Sequence, residues 1–85
     1  MQSVEAEDLY RYCKIDDDTE LQTTARDLAE TAEAYLLRQN IPLTESNRSR
    51  FALCVKAMTL HELDHPGEAT PPGIREKIND LKFNH

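Results

Sequence analysis

The chain has 85 residues, of which 39% are hydrophobic and 31% are charged. Sixteen acidic and ten basic side chains give a net charge of −6, which argues against general binding of nucleic acid through its phosphates. We expect one domain, residues 1–85, with a core so small that self-association is a common remedy. No apolar run approaches the roughly 20 residues of a membrane helix, so no membrane partner is expected.

The spacing of apolar residues predicts four helices and no strand, so the expected fold class is all-α. The first helix covers about Val4 to Cys13, with Ser3 as its N-cap. The second runs from about Thr19 to Gln39, and Asp17 followed by Glu20 resembles a capping box. Its apolar stripe repeats at spacings of three and four and consists of Leu21, Ala25, Leu28, Ala29, Ala32, Tyr35 and Leu36.

The third helix is predicted from about Glu45 to His65, with Thr44 as its N-cap. Its segment FALCVKAMTL (51–60) is apolar on nearly every side, which is typical of a central helix packed by several neighbours. The fourth helix starts at Pro71-Pro72, because proline suits a first helical turn. The expected architecture is two long antiparallel helices with a short helix at each end.

The segment His61-Glu62-Leu63-Asp64-His65 matches the zinc-peptidase pattern H-E-x-x-H, in which two histidines one turn apart hold zinc. Asp64 puts a charge inside the motif, Pro66 ends the helix directly after it, and no GxxH follows. Glu76 and His85 are the remaining candidates for a third ligand, and neither belongs to a second motif. We therefore expect no enzyme and no cofactor, and keep His61 and His65 only as minor zinc candidates.

The acidic triplet Asp16-Asp17-Asp18 lacks the spacing and the central glycine of an EF-hand, so helix capping is favoured over calcium binding. Cys13 and Cys54 show no pairing pattern and are expected to be buried and reduced.

Charge is uneven along the chain. Residues 1–36 hold three basic and ten acidic side chains, a net −7, whereas residues 37–85 hold seven and six, a net +1. Unlike halves of this kind could attract each other between identical subunits, or could simply be solvated helix faces.

Three local patterns follow one another along the chain: DLYRYCKID, then DDTEL at the start of an alanine-rich helix that ends in AEAYLLRQN, and the closing PPGIREKINDLKF. Their order resembles the head–tail connector, or DNA-packaging adaptor, family of long-tailed bacteriophages. In the closing segment Pro72, Gly73, Ile74, Arg75, Ile78 and Leu81 fill the family's places. The chain departs from many relatives after its third helix, where HELDHPGEAT stands in place of an aromatic-rich stretch.

The resemblance implies a structural virion protein that forms a homo-oligomeric ring between the portal of the DNA-filled head and the tail. Its partners would be the portal protein and tail or head-completion proteins, with DNA only as passing cargo, and it would be assembled in the host cytoplasm. The alternative is a small helical interaction or regulatory adaptor. Our channel-facing candidates are Asp16, Asp17 and Asp18. Our interface candidates are Leu37, Ile41, Leu43, Ile74, Ile78 and Phe83.

Overall fold

Four helices account for most of the computed structural model, which describes residues 1–84. They are α1 (Ala6–Cys13), α2 (Thr19–Arg38), α3 (Arg48–Asp64) and α4 (Pro72–Phe83). Residues 1–84 contain no strand, so the all-α fold class is confirmed. Within the same residues no helix combines the length and the apolar character needed to cross a membrane.

The third helix is central, as its apolar composition predicts. It packs against α1, α2 and α4, and its residues Phe51, Cys54 and Val55 are fully buried. Thr59 is also buried, and its hydroxyl donates a hydrogen bond of 2.8 Å to the carbonyl of Val55. The hydroxyl therefore needs no partner from another helix.

The buried face of α2 is built largely from alanine. Ala25 and Ala29 have no exposed surface, and Leu36 closes the same face near the end of the helix. Small side chains at these positions let α3 approach closely. Leu21 and Tyr35 belong to the predicted apolar stripe but lie outside this buried face: they are 42% and 40% exposed, because the buried face is narrower than the stripe.

The predicted start of α2 at Thr19 is confirmed, whereas its predicted cap and the predicted starts of α1 and α3 are corrected. Ser3 does not cap α1, because the helix begins at Ala6 and its N-cap position is Glu5; the N–H of Ser3 instead donates to Glu33 Oε1 at 2.7 Å. Asp18 rather than Asp17 caps α2, because Asp18 Oδ1 accepts the N–H of Leu21 at 3.0 Å.

The start of α3 is delayed by a preceding turn. Helix α3 begins at Arg48, not Glu45, because Thr44 and Asn47 bond each other first. The N–H of Thr44 donates to Asn47 Oδ1 at 2.9 Å, and the N–H of Asn47 donates to the Thr44 hydroxyl at 3.2 Å. Thr44 therefore caps this turn and not the helix.

A carboxylate on α2 anchors the N-terminal segment. Glu33 Oε1 accepts the N–H groups of Gln2 and Ser3, and the Met1 ammonium lies 3.6 Å from Glu30 Oε1. Burial by itself raises the pKa of Glu33, but contacts with Ser3 and Gln2 and the nearby ammonium outweigh it and lower the pKa. The charged form of Glu33 therefore stabilises the fold.

Candidate assembly surfaces

Large hydrophobic side chains remain exposed on three of the helices. Leu21, Tyr35 and Leu37 lie on α2, Leu53 lies on α3, and Phe83 at the end of α4 is 77% exposed. Isolated exposed apolar residues are ordinary, but sets of them on one small domain mark surfaces that partners can cover. The positions of these residues therefore define the candidate assembly surfaces.

The exposed residues of α2 fall on two opposite sides of the helix. Leu37 follows Leu28 by nine residues, about two and a half helical turns, and so points to the side opposite Leu28. Leu28, Tyr35 and Arg38 line a groove of about 490 Å³ with α3 and α4. Leu37 is absent from that groove and belongs to a separate surface, which we call the Leu37 face.

The groove, which we call the α2–α4 groove, has an apolar floor and a charged rim. Its apolar part includes Ala32, Met58 from α3 and Ile78 from α4. Arg38 and Arg75 stand at the rim, and no ion pair within residues 1–84 involves either guanidinium. The groove therefore joins apolar surface to unpaired positive charge.

A third surface lies between α3 and α4, and we call it the Leu53 face. Leu53 lines a shallow cavity of about 310 Å³ together with Gly73 and Lys77. Arg50 borders it and ties the two helices together, donating to Asp80 Oδ2 at 2.8 Å and to the carbonyl of Asn84 at 2.7 Å. The Leu53 face is thus apolar at its centre and carries both signs of charge around it.

The six predicted interface residues divide into three groups. Leu37 and Phe83 are exposed, and Leu43 and Ile78 are half-buried. Ile41 is fully buried and Ile74 is 8% exposed, which corrects their assignment to an interface. Both complete the monomer's own core, and a second subunit could reach them only if that core opened.

The acidic triplet lies in the turn before α2, and all three residues are exposed. Asp18 caps the helix, whereas Asp16 contributes its backbone carbonyl, which accepts a hydrogen bond of 2.8 Å from Gln22 Nε2. No ion pair within residues 1–84 neutralises the triplet. The local surface is therefore strongly negative.

Arg48, Arg50 and Lys56 form a short basic strip near the start of α3, and it is engaged within the chain. Arg48 donates to the carbonyl of Gln2 at 3.4 Å, and the ammonium of Lys56 lies 5.4 Å from the centre of the Tyr12 ring. These contacts join α3 to α1 and to the N-terminal segment. They give the strip a structural role in the monomer.

The HELDH residues form local contacts at the end of α3. The rings of His61 and His65 lie 5.6 Å apart, and His65 Nδ1 is 2.6 Å from Glu68 Oε2. Glu62 accepts the N–H of Gly67, which adopts a positive φ of 77°. Within residues 1–84 no three metal-ligating side chains come together. Of the two remaining ligand candidates, Glu76 lies on α4 and His85 lies outside the described residues.

Both thiols are buried, as expected. Burial raises the pKa of Cys13, and the nearby Asp64 carboxylate raises it further. Burial raises the pKa of Cys54 to about 11 against the opposing effect of Lys77. At neutral pH both are therefore protonated and poorly nucleophilic.

The sequence interpretation did not single out Leu21, Tyr35 or Leu53 as interface candidates; it placed the first two in the apolar stripe of the second helix and Leu53 in the apolar run of the third. One signal could have found two of them: Leu21, Leu28 and Tyr35 recur every seven residues, the spacing of a helix that faces a partner helix. Leu53 carries no such signal, because it lies within a run that is apolar on nearly every side.

Comparison with known proteins adds no identification. No family model, no curated protein and no solved structure matches the chain. The class that the fold itself defines is a small all-helical domain with exposed apolar surfaces.

Proposed function

We propose that the chain is a structural connector subunit that forms a ring between the portal of a phage head and the tail. The observation that carries the proposal is the pair of unlike apolar surfaces, the Leu37 face on α2 and the Leu53 face between α3 and α4. Closed rings are built from heterologous contacts, in which one surface meets a different surface of the next copy. The resemblance of the sequence to the connector family supplies the biological setting.

Charge supports the same kind of contact. The net −7 of residues 1–36 and the net +1 of residues 37–85 give unlike halves that attract between neighbouring copies.

The helices α2 and α3 are the two longest and pack on each other, and we propose that they run antiparallel. Such a pair would form the rigid body of each subunit. Phe83, at the end of α4, would extend one contact surface towards the next subunit or the portal.

We assign Asp16, Asp17 and Asp18 to the channel wall of the ring. Carboxylates along a channel repel phosphates, so that DNA passes through without binding. Replacing all three by asparagine keeps a good N-cap at position 18 and removes three charges. The ring should keep its mass while its retention of duplex DNA rises, as measured by co-sedimentation at low salt. Unchanged DNA retention would contradict the channel assignment and leave the ring itself unaffected.

The ring is tested by native mass and electron microscopy. Light scattering across a concentration series should show the mass rising to one plateau, and negative-stain images at the plateau should show rings with a central hole. Leu37→Ser and Leu53→Ser should each lower the plateau mass, because each removes one of the two apolar surfaces. Asn79→Ser, an exposed change on the outer side of α4, is the matched control and should keep the wild-type mass. A plateau that neither leucine variant alters would contradict the proposed contacts.

A further inference from the structure

The exposed stripe on α2 has the spacing of a helix that pairs with another helix. Leu21, Leu28 and Tyr35 are separated by seven residues, and side chains at this interval drift by only about 20° per step around a straight helix. The three therefore lie along one line, about 21 Å long from Leu21 to Tyr35. Leu21 and Tyr35 are 42% and 40% exposed, so the chain itself leaves the two ends of this line uncovered.

The C-terminal part of the stripe borders the α2–α4 groove, which widens the surface that a second helix could cover. Leu28 and Tyr35 line this groove, with Met58 as its floor. The alanines beside the stripe, Ala25 and Ala32, are buried in the chain's own core and offer no further surface. The surface is thus a line of three apolar side chains with a cleft at one end.

The ends of α2 carry opposite charges. Glu20 lies in the first turn and Arg38 in the last, and Arg75 adds a second positive charge at the groove rim. Glu20 and Arg38 are 18 residues apart, about five full turns, so both stand on the same side of the stripe. Glu62 also lines the groove and accepts the N–H of Gly67, so its negative charge leaves the two arginines with an excess of one positive charge.

Charge decides the direction in which a second copy can lie. In a parallel pair the two Glu20 side chains would lie at one end of the pair and the two Arg38 side chains at the other, so like charges would gather at both ends. In an antiparallel pair centred on Leu28, Leu21 lies opposite the second copy's Tyr35, and Glu20 comes beside the second copy's Arg38 and Arg75. The antiparallel register also sets the two helix dipoles head to tail.

We propose that two copies of the free chain pair through antiparallel α2 helices, with the two-fold axis passing between their Leu28 side chains. Each copy inserts the Leu21 end of its stripe into the α2–α4 groove of the other. This contact goes beyond the connector role, because a two-fold pair is closed by symmetry and does not grow into a ring. It leaves the Leu37 face and the Leu53 face uncovered and free for ring contacts.

The two-fold axis gives a direct test. In the proposed pair only residues near the axis lie close to themselves in the second copy, so Leu28→Cys should form an intermolecular disulfide with itself on mild oxidation. The matched control is Leu37→Cys, which lies on the opposite side of α2 and at 44% exposure is open to solvent. The native thiols Cys13 and Cys54 are buried, so the wild-type chain gives the background.

Leu28→Cys should yield covalent dimer at least tenfold faster than Leu37→Cys when both are oxidised at the same low chain concentration. Equal rates, or faster dimer formation by Leu37→Cys, would overturn the proposal.

Charge exchange provides the second measurement. In sedimentation at chain concentrations below those at which rings form, Glu20→Lys and Arg38→Glu should each be mainly monomeric, and an equimolar mixture should recover a dimer, because the substituted position 20 of one chain then meets the oppositely charged, substituted position 38 of the other. A mixture that stays monomeric while the wild-type chain dimerises would also overturn it. Neither measurement depends on whether the chain forms a ring.

Discussion

Replacing Glu33 with glutamine keeps the shape of the side chain and removes its charge. Oε1 of Glu33 accepts two N–H groups, from Gln2 at 2.9 Å and from Ser3 at 2.7 Å. A hydrogen bond to a charged group contributes about 1.5–3 kcal/mol, against about 1 kcal/mol between neutral groups. Ser3 is buried, whereas Gln2 is open to water and its bond contributes less. We therefore expect Glu33→Gln to lower the free energy of unfolding by about 1–2 kcal/mol at neutral pH.

The loss should depend on pH in a defined direction. The pKa of Glu33 is lower in the folded chain, so its contribution is complete above the unfolded pKa of about 4.3 and disappears as the pH falls through the lower folded value. The difference between wild type and Glu33→Gln should therefore shrink towards zero in strong acid. Comparing the two chains at each pH cancels the titration of the other carboxylates.

The assay is urea unfolding followed by far-ultraviolet circular dichroism at one fixed chain concentration. Glu30→Gln is the matched control, because Glu30 also lies near the N-terminus but its ion pair with the Met1 ammonium is 3.6 Å long and its side chain is 55% exposed. Exposed pairs of this kind contribute about 0–1 kcal/mol. The reasoning is refuted if Glu33→Gln costs no more than Glu30→Gln, or if its cost is the same in acid as at neutral pH.

Three further predictions concern the core, a helix cap and the thiols. Phe51→Ala should lower the free energy of unfolding by about 3–5 kcal/mol, because the ring is fully buried. Leu53→Ala, at a position that is 41% exposed, should lower it by less than about 1 kcal/mol. Similar losses for the two variants in urea unfolding would contradict the burial of Phe51. Asp18→Ala should lower the free energy of unfolding by about 0.5–2 kcal/mol and Asp17→Ala by less than about 0.5 kcal/mol. A larger loss for Asp17→Ala would show that Asp17 is the N-cap. Since the pKa of Cys54 is about 11, a thiol reagent at mildly alkaline pH should label Cys54 slowly in the folded chain and quickly in urea, and rapid labelling of the folded chain would contradict its burial.

The positions of the helices could be predicted because their signals are local. Proline at position 72 begins α4, and the apolar spacing between Phe51 and Leu60 predicted a central α3. The starts of α1 and α3 and the N-cap of α2 were less predictable, because each depends on a choice between nearby hydrogen-bond partners. Nothing in the sequence shows that Glu33 takes the N–H of Ser3, which lies 30 residues away.

The assembly surfaces could be predicted only in part. Leu37 and Phe83 were expected at a surface and are exposed, but Ile41 looked equally available and is fully buried. Periodicity shows that a residue is apolar on a helix face and not which neighbour covers it. Leu21 shows the reverse, since it belongs to the apolar stripe of α2 and is nevertheless 42% exposed. Which apolar side chains are left over depends on how four helices pack together, which local patterns do not specify.

The measurement that tests the connector proposal most directly is the native mass of the chain at high concentration, with images of the same sample. We predict one large closed species, seen as rings with a central hole, that is insensitive to a chelator because it contains no zinc contact. A mass that stops at two chains at every concentration, both alone and after mixing with portal-bearing heads, would contradict the ring. A large species that dissociates when a chelator is added would instead show that His61 and His65 hold a metal between subunits.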